Sequence, residues 1–153
     1  MIKVTFVCLG NICRSPMAEL IFKQLAENEG LKEQFAVDSC GTSSCEQGSS
    51  IYSLAARTLA AHGVGGTHIA RKITQADIVG SDFILVMDSE NLASLKRIAP
   101  PSETGKIARL CDYTSEPRDV ADPWYTRDFE RAYSDILDGC RSFLDYIRNS
   151  RGI

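Results

Sequence analysis

Cys8-Leu9-Gly10-Asn11-Ile12-Cys13-Arg14-Ser15-Pro16 joins two segments of different periodicity. Before it, Ile2 to Val7 is a short, mostly apolar run that reads as a buried strand. After it, Met17, Leu20, Ile21 and Leu25 fall on one face of a helix, and Pro16 stands where a first helical residue tolerates the missing N–H. A loop that leaves the carboxyl end of a strand and enters a helix can converge its backbone N–H groups on one point. Those donors and the positive end of the helix favour an anion such as phosphate there. Gly10 allows backbone dihedrals that other residues resist, and Arg14 supplies a planar fork matched to two phosphate oxygens. The same field favours the thiolate of Cys8, the form that attacks phosphorus, and Ser15 can donate a hydrogen bond to that sulfur. The six-residue step from Cys8 to Arg14 lets a curled loop place sulfur beneath the anion and guanidinium beside it.

Outward from this loop, strand-like runs alternate with stretches of helical period, which predicts a parallel α/β sheet. Further strands are expected at Phe35 to Ser39, Asp82 to Met87 and Lys106 to Leu110. Helices are expected at about Tyr52 to His62, stopped by Gly63, and at about Asn91 to Ala99, stopped by Pro100 and Pro101. Thr74 with Asp77 marks a possible short helical turn. Phe129, Tyr133, Ile136, Leu137, Cys140, Phe143, Leu144 and Ile147 form one stripe and predict a long helix covering the sheet. The segments from Gly41 to Ser50 and from Tyr113 to Asp122 read as loops at the carboxyl edge of the sheet, where ligands bind.

The 153 residues suit one globular domain with a proper core. Seventeen Lys and Arg against twenty Asp and Glu leave a net charge of -3, so no broad basic field exists to hold nucleic acid or an anionic membrane. The first ten residues are too short an apolar run for a signal peptide or a membrane span, which predicts a cytoplasmic protein. Its six cysteines are accordingly expected to be reduced.

The string from Cys8 through Arg14-Ser15-Pro16-Met17-Ala18-Glu19 resembles the low-molecular-weight protein tyrosine phosphatases, whose signature is a Cys, five residues, then Arg and Ser or Thr. The likeness runs from the first strand to the last helix. It implies one domain over 1–153, with a four-stranded parallel sheet in the flavodoxin-like order 2-1-3-4, helices on both faces and the phosphate loop after the first strand. It also implies hydrolysis of phosphotyrosine in a protein through a phosphocysteine on Cys8, releasing inorganic phosphate, with no cofactor or metal and a monomeric enzyme. Leu9, Gly10, Asn11, Ile12 and Cys13 would bind substrate alongside Arg14, while Ser39 and His68 would brace the loop. Expulsion of the alcohol needs a proton donor across the phosphorus from Cys8. Asp122, followed by Pro123, Trp124 and Tyr125, resembles the family's acid element; Asp119 is its competitor. Trp124 and Tyr125 would flank the substrate ring.

Asp88 and Asn91 resemble a family element, yet Asp88 or Ser89 reads equally well as a helix cap, and His62 as a helix-end residue without a site role. Between Thr42 and Leu54 the chain departs from its relatives: Cys45 stands where an aromatic is common, and an Asp-Pro-Arg near Tyr52 is missing. Ile12, where the related arginine phosphatases carry Thr, favours phosphotyrosine. Cys13 resembles a family thiol that can form a reversible disulfide with the nucleophile. The rival of the same fold, arsenate reductase, needs further redox cysteines near the third strand, and Asp82 to Ser89 has none. Other rivals are a zinc protein built on the pairs Cys8 with Cys13 and Cys40 with Cys45, and a phosphate-binding module without turnover.

Overall fold

The computed structural model describes residues 1–153. Its central strand is β1 (Ile2–Cys8), paired in parallel with β2 (Phe35–Gly41) on one side and β3 (Phe83–Val86) on the other. β4 (Ile107–Arg109) completes the sheet in the order β2-β1-β3-β4, as expected. The chain leaves β1 for one side and returns to the other. This reversal opens a crevice at the carboxyl end of β1, where the loop from Cys8 lies.

Both sheet faces are covered, and alternation along the strands sorts their side chains. Val4 and Phe6 of β1 and Leu85 of β3 join a large core with α1 (Arg14–Asn28), α2 (Ser53–Ala61) and α6 (Phe129–Arg151). Val7, Ile84 and Val86 face a smaller core with Ile78 of α3 (Gln75–Gly80) and Leu95 of α4 (Ser89–Ile98). Phe22 is the aromatic centre of the large core, with the rings of Phe6, Phe35 and Phe143 at 5.8, 5.1 and 5.7 Å. The predicted stripe of α6 is buried except at Leu137, which is half-buried. Gly139 lies on the same face, and a Cβ there would come within 2.6 Å of Leu110 Cγ, so glycine permits the close approach. No helix is long and apolar enough to cross a membrane.

Several boundaries differ from expectation. α1 begins at Arg14, so Pro16 is its third residue and not its first, which is still within the turn that needs no backbone donor. Ser15 is likewise inside the helix, and no side chain caps this end. β2 continues through Cys40 and Gly41, because Gly41 still pairs with Cys8. β3 begins one residue late and ends one early, and β4 loses Lys106 and Leu110 to flanking 3-10 turns. α4 starts at Ser89 with Asp88 as its cap. The Thr74 turn is α3: Thr74 Oγ1 accepts from the Asp77 N–H at 3.1 Å, and Asp77 accepts from the Thr74 N–H at 2.8 Å. A single turn, α5 (Pro123–Thr126), stands where an irregular loop was expected.

Gly41 fastens the end of β2 to the anion loop. The Thr42 and Ser43 N–H groups donate to the carbonyls of Cys8 and Leu9 at 2.9 and 3.0 Å. A Cβ on Gly41 would sit 2.7 Å from the Leu9 carbonyl oxygen, and backbone cannot rotate aside as a side chain can. Gly41→Ala is therefore expected to cost about 1–3 kcal/mol in urea unfolding. An unchanged midpoint would show that the loop yields instead.

Candidate active site

Cys8 ends β1 with its sulfur at the floor of a pocket, and the loop curls over it. The Asn11 N–H donates to Sγ at 3.3 Å, and Ser15 Oγ lies 3.0 Å away. Asn11 Nδ2 donates to that same Ser15 oxygen at 2.8 Å, so the hydroxyl proton of Ser15 is left for the sulfur. Both contacts favour negative charge on sulfur.

The unusual backbone position is Asn11 and not Gly10. Asn11 has a φ of 59°, whereas Gly10 lies outside the left-handed region. Asn tolerates this conformation better than most residues, and its side chain here makes four bonds. Besides Ser15, Nδ2 donates to Ser39 Oγ at 3.1 Å; Oδ1 accepts from the Arg71 N–H at 3.1 Å and faces His68 Nε2 at 2.7 Å. The backbone N–H of Arg71 can only donate. It identifies Oδ1 as the acceptor, so His68 must donate to it as well.

Beneath them lies Glu19, a residue to which the sequence reading assigned no role. It accepts from Ser39 Oγ at 2.7 Å and from Lys23 at 2.6 Å, and lies 3.1 Å from His68 Nδ1. Burial pushes its carboxyl up, but the bonds from His68, Lys23 and Ser39 outweigh burial and hold it below its ordinary value. The sequence offered only a Glu19–Lys23 spacing, which normally marks an exposed helix pair. Glu19, Asp38 and His68 bring ligand-type atoms within 4.8 Å of one another, yet these groups already serve Lys23, Arg71 and Asn11.

Arg14 is buried at the pocket wall. Its Nη1 donates to Asp88 at 2.7 Å and to the Val120 carbonyl at 2.8 Å, and Nη2 lies 3.4 Å from Asp122. Burial alone would lower its pKa; negative charge at Cys8 and the carboxylates of Asp88 and Asp122 outweigh it, and the guanidinium stays charged. Asp88 does more than the capping that the sequence offered for it. One oxygen caps α4 through the Asn91 N–H at 2.7 Å, and the other holds Arg14.

Asp122 caps α5, accepting from the Trp124 N–H at 3.0 Å, and its second oxygen faces Arg14. Asp119 is engaged elsewhere, with Arg109 at 2.9 Å and with the N–H and hydroxyl of Ser89. The pocket is lined by Cys8 through Arg14, Cys45, Glu46, Asp122, Trp124 and Tyr125, with Leu9, Trp124 and Tyr125 exposed around its mouth. All the residues read as lining the site meet there, and Ser15, Ser39 and His68 lie behind the loop. Cys45, Glu46 and Tyr52 were not assigned; Tyr52 packs edge-on to Trp124 at 5.0 Å between ring centroids. His62 stacks on Tyr133 away from the pocket.

A strand-end cysteine, a curled donor loop, an arginine held by two acceptors and an aspartate facing it make one constellation, and the comparisons with known proteins agree with it. Residues 3–151 match the family described as low molecular weight phosphotyrosine protein phosphatase. The chain belongs to this family. It is 40% identical over 154 residues to the low molecular weight protein-tyrosine-phosphatase YfkJ of Bacillus subtilis, covering 99% of each chain. The crystal structure of YfkJ superposes with a TM-score of 0.94 over 98% of this chain and 96% of that one. The human low molecular weight phosphotyrosine protein phosphatase is 39% identical over 147 residues, 93% of each. The Drosophila arginine phosphatase DARP is 35% identical, with a TM-score of 0.90 over 96% and 98%.

The cysteine-based zinc alternative finds no geometry among these phosphatase features. Cys8 and Cys13 belong to the large core, Cys40 to the small one, and Cys45 is exposed at the pocket.

The Glu19 ion pair has a pH signature. A carboxyl whose folded pKa is depressed adds stability above its unfolded value, near 4.5, that is lost as pH falls through the lower folded value. Glu19→Gln is expected to cost about 1–3 kcal/mol at pH 7, with the gap to wild type narrowing below pH ~4. A gap independent of pH in denaturant titrations would assign the loss to packing.

Proposed function

We propose that this family member hydrolyses phosphotyrosine in proteins through a phosphocysteine on Cys8. The observation that carries the reading is the sulfur of Cys8 under two hydrogen-bond donors, in the pocket that Arg14 and Asp122 also line. Nη1 of Arg14 is occupied by Asp88 and Val120, while Nη2 has only a 3.4 Å contact with Asp122, so Nε and Nη2 are the donors that can turn to phosphate oxygens. Cys8 attacks phosphorus, and the bond to the leaving oxygen breaks on the opposite side.

Asp122 then protonates the departing phenolate and, as carboxylate, takes a proton from the water that attacks the phosphocysteine, releasing inorganic phosphate. Asp119 is the poorer acid, because one of its oxygens is committed to Arg109 and to the N–H and hydroxyl of Ser89. Burial pushes its carboxyl up, but those bonds outweigh it and hold the group ionised. Trp124 and Tyr125 offer ring faces to a substrate ring, and Ile12 adds an apolar contact with no hydroxyl. This favours phosphotyrosine over the phosphoarginine of the Drosophila relative. A single chain carries every residue the reaction uses.

Hydrolysis of p-nitrophenyl phosphate near pH 5 to 6, in the presence of a chelator, tests the assignment. Cys8→Ser is expected to abolish turnover, and Asp122→Ala to lower kcat on the order of 10²- to 10⁴-fold, less for leaving groups that need no proton. Full activity in Cys8→Ser would sink the mechanism. Faster release of phosphate from phosphoarginine than from phosphotyrosine peptides would move the substrate assignment.

Cys13 is a buried residue of the loop, its thiol pushed up to about 12 by burial first and then by negative charge at Cys8 and Asp122. It therefore stays protonated and leaves attack on phosphate to Cys8. Peroxide would convert Cys8 to a sulfenic acid, and condensation with the Cys13 thiol would release water and form a disulfide that a reductant reverses. Cys13→Ser is expected to recover less activity after peroxide and thiol treatment. Equal recovery would leave Cys13 as a packing residue.

A further inference from the structure

The wall that carries Asp122, Trp124 and Tyr125 is only four residues long, and one helical turn does not hold itself together in water. It is closed by Arg127, whose φ of 59° places an arginine in the left-handed region that favours glycine. Strain of this kind persists where surroundings over-determine the residue. Here the guanidinium lies 5.6 Å from the ring centre of Tyr52, 5.8 Å from Trp124 and 5.7 Å from Phe129. Nη2 also donates to the Tyr52 hydroxyl at 3.0 Å.

Two of these rings are anchored independently. Phe129 is buried at the start of α6 and stacks on Tyr52. Tyr52 is tied to the anion loop by its backbone N–H, which donates to the Ile12 carbonyl at 2.9 Å. The Trp124 indole is 44% exposed, and its aromatic and cationic contacts are the edge of Tyr52 and the Arg127 guanidinium.

We propose that Arg127 is a positioning residue for substrate: held by Tyr52 and Phe129, it fixes the Trp124 indole as the surface on which the ring of an aryl phosphate stacks. This rests on the phosphatase reading above. Phosphate itself is held by the loop and Arg14, so Arg127 acts on the aromatic part of the ligand and leaves recognition of the anion to those groups. Asp122 keeps its own bond to the Trp124 N–H.

The split between ring and anion is measurable with benzylphosphonate and inorganic phosphate as competitive inhibitors of p-nitrophenyl phosphate hydrolysis. Arg127→Gly suits the left-handed backbone and removes the cation. It is expected to raise the benzylphosphonate inhibition constant about three- to tenfold while moving that of phosphate less than twofold. Arg127→Lys and Tyr52→Phe should fall between this variant and wild type, and they carry the test if the glycine variant does not fold. Trp124 is the one tryptophan of the chain, so acrylamide quenching of its fluorescence should rise roughly twofold in Arg127→Gly. Equal shifts for both inhibitors, or no shift in either, would overturn the inference while turnover by wild type upholds the phosphatase. A wild type that neither hydrolyses the ester nor binds phosphate would overturn both.

Discussion

Asn11 sets the shape on which the rest of the site depends. A loop that turns its N–H groups inward has its carbonyls and a left-handed residue to account for, and the Asn11 side chain does this with bonds to Ser15, Ser39, His68 and Arg71. The four partners come from three segments: Ser15 from α1, Ser39 from β2, and His68 and Arg71 from the stretch between α2 and α3. The loop is therefore held by the assembled sheet and not by its own sequence. Where a mobile loop would close on phosphate at an entropic cost, this one meets the anion already formed.

Charge around the pocket is balanced without being neutralised. Arg14 faces Asp88 and Asp122, and the thiol beneath it carries donors from the loop. Asp88 stands at the N-terminus of α4, where it both caps the helix and fixes the arginine. Asp122 meets the Trp124 N–H with one oxygen and lies 3.4 Å from Arg14 with the other, a looser hold than that of Asp88, which approaches the same guanidinium to 2.7 Å.

Much of this was legible in the chain. The loop from Cys8 to Ser15, the strands, the terminal stripe and Asp122 with its aromatic neighbours are all local patterns, and each stands in the fold near its expected place. The left-handed position of the loop was not legible, because a glycine draws attention to its own freedom while the residue that adopts this conformation is the neighbouring asparagine. Glu19 escaped because its Lys23 spacing resembles a solvent-exposed pair, and only the packing of α1 on the sheet buries it. The one-turn helix at Pro123 escaped because four residues carry no periodicity.

By itself the sequence determined the strand–loop–helix unit and the placing of Cys8 and Arg14 in it, since these groups are neighbours in the chain and local geometry brings them together. Only the tertiary structure decided what stands opposite and behind them. Asp122 is 108 residues from Arg14, Asp88 is 74 residues away, and Tyr52 meets the turn of Trp124 and Arg127 from 75 residues before that arginine. Their encounter depends on sheet order and on side chains packed across two cores, and no spacing along the chain encodes those distances.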